Sequence, residues 1–501
     1  MLSVLVFLPV VVALALTALP ATSTPRRYTV PWVVTGLVQL VLVAVMWLQL
    51  PTSGYGFVEQ VAWIPSAGIS YHLGVDGLSL PLVAMTVVVF TAAAIYSLRE
   101  DRRPKSYVLL FLALQTVSVG VFVALDLILF FLFFDLSIVF MYFVIAGWGH
   151  GSRARSAALT FFLYTFLGSL ALLLGFILIY LAATPHTFDI PALAALNPLA
   201  AGGPLAGAAL LAIGVGLAVK TPLVPFHTWL PPAHTEAPAA GSAVLAGGLL
   251  KMGTYGFVRI AMPLLPASWR QFAGVVVVLG VVSVIYGALV ALAQTDLKRM
   301  IAYTSVNHMG YVLLGVGAAG LVAETDAQAR QLATTGAVTQ MVSHGLITGA
   351  LFLLAGALHE RGRTYDMGAY GGLAARTPRF AGLFAVAAFA SLGLPGFSGF
   401  IAEFQIFTGA LGATPVATAI AVVGILLTAG LFLVALSRML LGELRYPDAP
   451  GTPRPFPDLR ARELAAVVPL LVLATVIGVV PRFLLDLVEP AARAVNELVA
   501  R

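Results

Sequence analysis

Apolar runs of about twenty residues follow one another along almost the whole chain, and that repetition leaves few folds open. A run of this length, coiled as an α-helix, matches the thickness of a bilayer. Within lipid every backbone N–H and C=O must be satisfied inside the protein, which a helix does segment by segment. The runs cover about 2–20, 30–49, 77–98, 106–125, 127–148, 156–182, 204–224, 239–261, 272–293, 299–320, 331–358, 378–411, 414–441 and 462–485. They predict an all-α polytopic membrane protein of about fourteen transmembrane helices. Charged residues make up 10% of the chain, against about 25% in soluble domains, so lipid is its main solvent. The first run starts at Leu2 with no basic residue before it and reads as a retained helix, not a cleaved signal. Two connections, 50–76 and 183–203, are long enough to carry structure of their own. The chain has no cysteine, which excludes disulfides, Cys-ligated iron–sulfur clusters and Cys-type zinc sites.

The basic residues give an orientation. Connections after odd-numbered runs, with their flanks, hold 19 of the 27 Lys and Arg, among them Arg99, Arg102, Arg103, Lys105, Arg376 and Arg379. Those after even-numbered runs, with the C-terminal tail, hold six, and two lie inside runs. The positive-inside rule makes the odd connections cytoplasmic and puts both termini on the opposite side. This bias accounts for the net charge of +6 without a nucleic-acid partner. No P-loop, G-x-S-x-G or H-E-x-x-H motif is present. Gly315-Val316-Gly317-Ala318-Ala319-Gly320 spells a dinucleotide fingerprint but ends an apolar run, so it reads as close helix packing.

Four charges stand inside apolar runs: Asp135, Lys220, Lys251 and Glu403. Each costs roughly 2.5–3.5 kcal/mol on insertion scales, about 10 kcal/mol together before pairing, so each asks for a function. The alternative is structural ion pairs that orient helices, or snorkelling at run ends, which fits Arg259. Asp135 pairs most naturally with Lys220 as a two-position proton switch. Pro222 and Pro225 interrupt the run just past Lys220, and Gly393–Gly399 interrupts another just before Glu403. Broken helices at corresponding places point to two inverted five-helix repeats, runs four to eight and nine to thirteen, around an ion path. Lys251 lies in an unbroken run and reads as the central relay toward Glu403. His308 and His344 are relay candidates inside apolar runs, and His227 and His234 flank the first break as further candidates. Packing, or ligation of a metal or haem, is the competing role for such histidines. His72, His150, His186 and His359 sit in loops or at run ends and receive no role. From the residues alone the chain is a proton or cation conductor, not a self-contained redox enzyme.

Five segments carry a family resemblance: KTPLVPFHTWLPPAHTEAPAAGSAVLAGGLLKMGTYGFVRI at 220–260, YHLGVDGLSLPL at 71–82, LKRMIAYTSVNHMGYVLLG at 297–315, MVSHGLITGALFLLAG at 341–356 and GLPGFSGFIAEF at 393–404. Over its whole length the chain resembles the antiporter-like membrane subunits of respiratory complex I (NADH:quinone oxidoreductase), of the subunit M (chain 4) type. The resemblance implies two inverted five-helix repeats and two discontinuous helices. Residues 1–105 then form helices 1–3, 106–261 and 272–441 the repeats, and 442–501 helix 14 and a tail. It implies proton translocation along Asp135, Lys220, Lys251, His308, His344 and Glu403, driven by quinone reduction elsewhere. No cofactor is expected in this chain; NADH, FMN, iron–sulfur clusters and quinone belong to partner subunits. Other membrane-arm subunits, neighbouring antiporter-like ones included, are the expected partners, in a bacterial plasma membrane. Two positions depart from the family: Asp135 stands where Glu is usual, and Pro232 where Asp is common. They leave open service in a multisubunit Na⁺/H⁺ antiporter, a hydrogenase or a carbon-uptake complex.

Overall fold

The computed structural model describes residues 1–322, 325–447 and 456–500; Arg454 and Arg501 of the charge count lie outside them. The helices are α1 Leu2–Thr17, α2 Arg26–Gln49, α3 Ser79–Tyr96, α4 Pro104–Val123, α5 Leu127–Trp148, α6 Ala154–Ala182 and α7 Ile190–Leu196. Then come α8 Pro204–Lys220, α9 Leu230–Glu236, α10 over 239–264, α11 Pro266–Leu292, α12 Leu297–Leu321 and α13 Ala327–Gly362. The last are α14 Pro378–Ser391, α15 Ser398–Leu411, α16 Pro415–Leu440, α17 Ala461–Val479 and α18 Arg482–Val499. Among the described residues nine helices are long and apolar enough to cross a membrane, so the chain is an integral membrane protein. Aspartates start several of them. Asp126 accepts from the Ile128 and Leu129 amides at 2.9 and 3.2 Å, and Asp296 and Asp326 cap α12 and α13 in the same way.

Two helices stop early. At a rise of 1.5 Å per residue, α8 and α14 extend only about 25 and 21 Å, short of the roughly 30 Å hydrocarbon core. Their exposed backbone finds partners inside the protein. Val219 O accepts from Trp229 Nε1 at 2.9 Å and the Val224 amide donates to Ser283 Oγ at 3.0 Å. The breaks fall where Pro222, Pro225 and Gly393–Gly399 place them in the sequence. α10 is continuous, but π-helical turns at Leu245–Leu249 and Phe257–Ala261 flank the turn that carries Lys251. Such single π turns concentrate at functional sites.

Connections meet in two groups. At one end Leu73 bridges Ala124 and Asp126 bridges Asp189; at the other Asp296 bridges Asp366 and Gly371 bridges Arg445. The first end carries an antiparallel hairpin, β1 Gly56–Ile64 and β2 Ile69–Val75, and helix α7, so both long connections are structured. It also carries α18, where the sequence reading had a simple tail. The last apolar run extends to residue 485 in the sequence, whereas α17 stops at Val479 and a new helix follows Pro481. α18 buries Leu484, Val488, Ala492, Val495 and Val499 along one face. It seats against Gly77, where any Cβ would stand 1.8 Å from the Leu487 carbonyl oxygen. The core centres on α10 and α13: the most apolar window of α13 is wholly buried, whereas that of α16 is 33% buried.

Candidate functional site

Lys251 is fully buried, and its ammonium has two partners: the Ala246 carbonyl, in the preceding π turn, and His344 Nδ1 at 2.6 Å. A charged lysine only donates, so Nδ1 must then accept and the imidazole carries its proton on Nε2. One proton passed to His344 reverses the roles and preserves the contact. The His344 ring lies 5.3 Å from that of His308 at a 62° interplanar angle. His308 Nδ1 faces Thr304 O at 2.8 Å, and Nε2 faces Ser391 O at 3.0 Å and Glu403 Oε1 at 4.0 Å. Carbonyl oxygens only accept, so neutral His308 satisfies one of them at a time and the imidazolium satisfies both. The Ser391 carbonyl is the end of α14; the helix break supplies an acceptor that an intact helix would use internally.

Glu403 projects from α15 back toward the same break. Gly393, at φ +78°, leaves the room: a Cβ there would lie 2.4 Å from Glu403 Oε2. A cavity of about 10 Å³ lies among His308, Gln340, Ser343, His344, Ser391 and Glu403, near the minimum for a single water. Ser343 Oγ meets Ser398 Oγ at 2.8 Å on its wall. Lys251, His344, His308 and Glu403 therefore form one buried line across α10, α13, α12 and α15. Four residues named from sequence come together here.

The other pair is arranged differently. Lys220 ends α8, buried, with its ammonium 2.9 Å from Ser137 Oγ and 4.7 Å from the centre of the Phe134 ring. Asp135 faces Ser169 on α6, and its Oδ1 has no protein hydrogen-bond partner. The shorter Asp135 side chain and Lys220 thus interact electrostatically without a direct hydrogen bond. His227 lies in the break and stands edge-on to Tyr286, with ring centres 5.0 Å apart. His234 is buried on α9, stacked 4.4 Å from the Phe352 ring, and neither ring nitrogen has a protein partner.

Two buried groups and one histidine at a helix end escaped the sequence reading. Arg259, expected to snorkel, is 3% exposed; its Nη2 pairs with Asp76 Oδ1 at 2.5 Å, and Tyr55 and Tyr255 hydroxyls accept from it at 3.0 Å. Lys298, drawn one residue outside its run, is fully buried in the first turn of α12 and donates to the Ala237 carbonyl. His150 packs edge-on to His359, ring centres 5.0 Å apart. Burial, helped by the Lys298 charge, pushes the His150 imidazole down to about 4.

A family model described as NADH:quinone oxidoreductase/Mrp antiporter, TM matches residues 124–428. NADH-quinone oxidoreductase subunit M of Rhodobacter capsulatus is 39% identical over 506 residues, covering 98% of this chain and 95% of that protein. In three dimensions the chain is similar to one in respiratory complex I from Thermus thermophilus with bound NADH, at TM-score 0.89, 30% identity and full coverage of both chains. It also shares its fold with a chain of the Mrp complex from Dietzia sp. DQ12-45-1b, at TM-score 0.87, 23% identity and 99% coverage of each.

Proposed function

As the chain belongs to the NADH:quinone oxidoreductase/Mrp antiporter family of membrane subunits, we propose that it is a proton-translocating membrane-arm subunit of a complex I-like NADH:quinone oxidoreductase. Protons pass between Lys251 and Glu403 through His344 and His308. The observation that carries this reading is the buried succession those four side chains make: a Lys251–His344 hydrogen bond, His344 and His308 rings 5.3 Å apart, and Glu403 4.0 Å from His308. Asp135 and Lys220 act beside it as a charge switch: moving Lys220 between Ser137 and Asp135 changes the field at Lys251. His227 flanks the switch in the helix break.

About fourteen crossings make up the fold, the nine long helices joined by α1, α10, α12 and the broken pairs α8/α9 and α14/α15. Two inverted repeats are supported by the position of those breaks and by the third crossing of each unit, α6 or α13, packing on its broken pair. The end holding the Asp296–Asp366 bridge carries the odd, Lys/Arg-rich connections and is cytoplasmic, which leaves both termini outside. NADH, FMN, iron–sulfur clusters and quinone reside in partner subunits. With no cysteine, this chain supplies the proton path and is driven through its contacts with them.

The likeness to the Mrp chain is one of fold, and the nearer sequence relationship favours the electron-driven complex over a Na⁺/H⁺ antiporter. The test is proton translocation in membrane vesicles holding the assembled complex. Lys251→Ala is expected to keep quinone reduction and lower the protons moved per electron. Transport that needs sodium and no electron donor would assign the chain to the antiporter instead.

A further inference from the structure

At the Lys/Arg-rich end a polar cavity of about 490 Å³ opens beside α3, α10 and α13. Glu100, Glu360 and Arg462 stand on its wall, and Ala239 and Gly356 on its floor. That floor is the start of the Lys251 helix laid against the His344 helix: a Cβ on Gly356 would lie 2.2 Å from the Ala239 Cβ. Ala239 and Gly356 are each twelve residues from Lys251 and His344, about 18 Å along the respective helices. The cavity therefore sits directly over the Lys251–His344 contact.

Polar side chains occupy the interval. His150 and His359 both line the cavity, edge-on to each other, and His359 stacks on Tyr365 at 4.3 Å. The Lys298 ammonium lies 5.2 Å from the centre of the same tyrosine ring. His234 comes next. It stacks on Phe352, one helical turn below Gly356 and two above His344, and it interacts electrostatically with both Lys298 and Lys251. Both its ring nitrogens are free of protein partners, the condition a group needs to take a proton from one side and release it on the other.

Among the described residues no histidine or charged side chain contacts both intramembrane lysines of the apolar runs. The Lys220 ammonium points to Ser137 and Phe134, and that of Lys251 to Ala246 and His344. A cationic lysine has no use for a second cation at short range, and the switch needs only the field between them.

We propose that this cavity is the proton inlet of the subunit, loading Lys251 from the Lys/Arg-rich face through His150 and His359, Lys298 and His234, independently of Lys220. The inference rests on the reading of Lys251 as the head of the transfer line. Each step moves one proton and no electron: water in the cavity gives a proton to the histidine pair, Lys298 and His234 pass it on, and each donor is refilled from the cavity side.

The chain's lack of cysteine makes a blocking experiment possible in the assembled complex. Glu100→Cys puts a thiol on the cavity wall, and inside-out vesicles expose that face to a bulky thiol reagent. Unlabelled Glu100→Cys should pump as the parent does. Labelling should leave quinone reduction running and drop the protons per electron to the Lys251→Ala level, while the same reagent leaves the parent complex unaffected. The double variant His150→Ala, His359→Ala should show the same loss and regain pumping when imidazole is added on that face, which a merely structural role would not give. Full pumping by the labelled protein and by the double variant, with Lys251→Ala still at its lowered ratio, overturns the inlet alone. Full pumping by Lys251→Ala overturns the transfer line and the inlet with it.

Discussion

Arg259 shows what a single buried charge demands. Removing it leaves Asp76 unpaired beneath α18, a loss of about 3–5 kcal/mol, so Arg259→Met should markedly lower the thermal stability and yield of the assembled complex. Arg259→Met with Asp76→Leu should recover most of that, less about 1 kcal/mol for the Leu78 and Ser79 amides that Asp76 also accepts. Equal stability of single and double variants would mean that the pair contributes nothing. Gly393→Ala is the converse case. Its positive φ costs about 1–2 kcal/mol, and its methyl pushes the Glu403 carboxylate away from His308, so proton transfer should fall far more than stability. Unchanged pumping by Gly393→Ala would remove the break from the mechanism. Lys220, Lys251 and Glu403 were legible because a charge inside an apolar run is costly whatever it contacts. Arg259 was misread because its partner lies 183 residues away, and Lys298 was missed because a hydropathy boundary fell one residue short of it.

At the scale of elements, proline and glycine punctuation located both broken helices, and the structure agrees at each. The π turns beside Lys251 leave no such mark; they arise from packing that apolar pattern alone does not report. α18 was hidden for a different reason. Arg482, Asp486, Glu489, Arg493 and Glu497 depress its hydropathy, yet Leu484, Val488, Ala492, Val495 and Val499 recur at helical spacing. A period, not an average, would have found it. Gly77→Ala should dislodge α18, since the Leu487 carbonyl occupies the place of the added Cβ. Faster proteolysis within 482–499 is the expected result, and parental resistance would show that the helix is held elsewhere.

For the whole molecule, the helical membrane class and the family were readable because a membrane forces a chain to declare its apolar runs and its few polar groups. What joins them was not, because contacts such as Lys251 to His344 span 93 residues. The proposed line makes the subunit a series conductor: a proton that enters it must traverse every member. Series order has a quantitative signature, since removing two members of one line costs no more than removing one. The decisive measurement is protons translocated per electron, in vesicles carrying the assembled complex, for Lys251→Ala, Glu403→Gln and the double variant. A series line gives the same reduced ratio in all three, with quinone reduction retained. A parental ratio in either single variant, or a double variant that falls well below both singles, would contradict it.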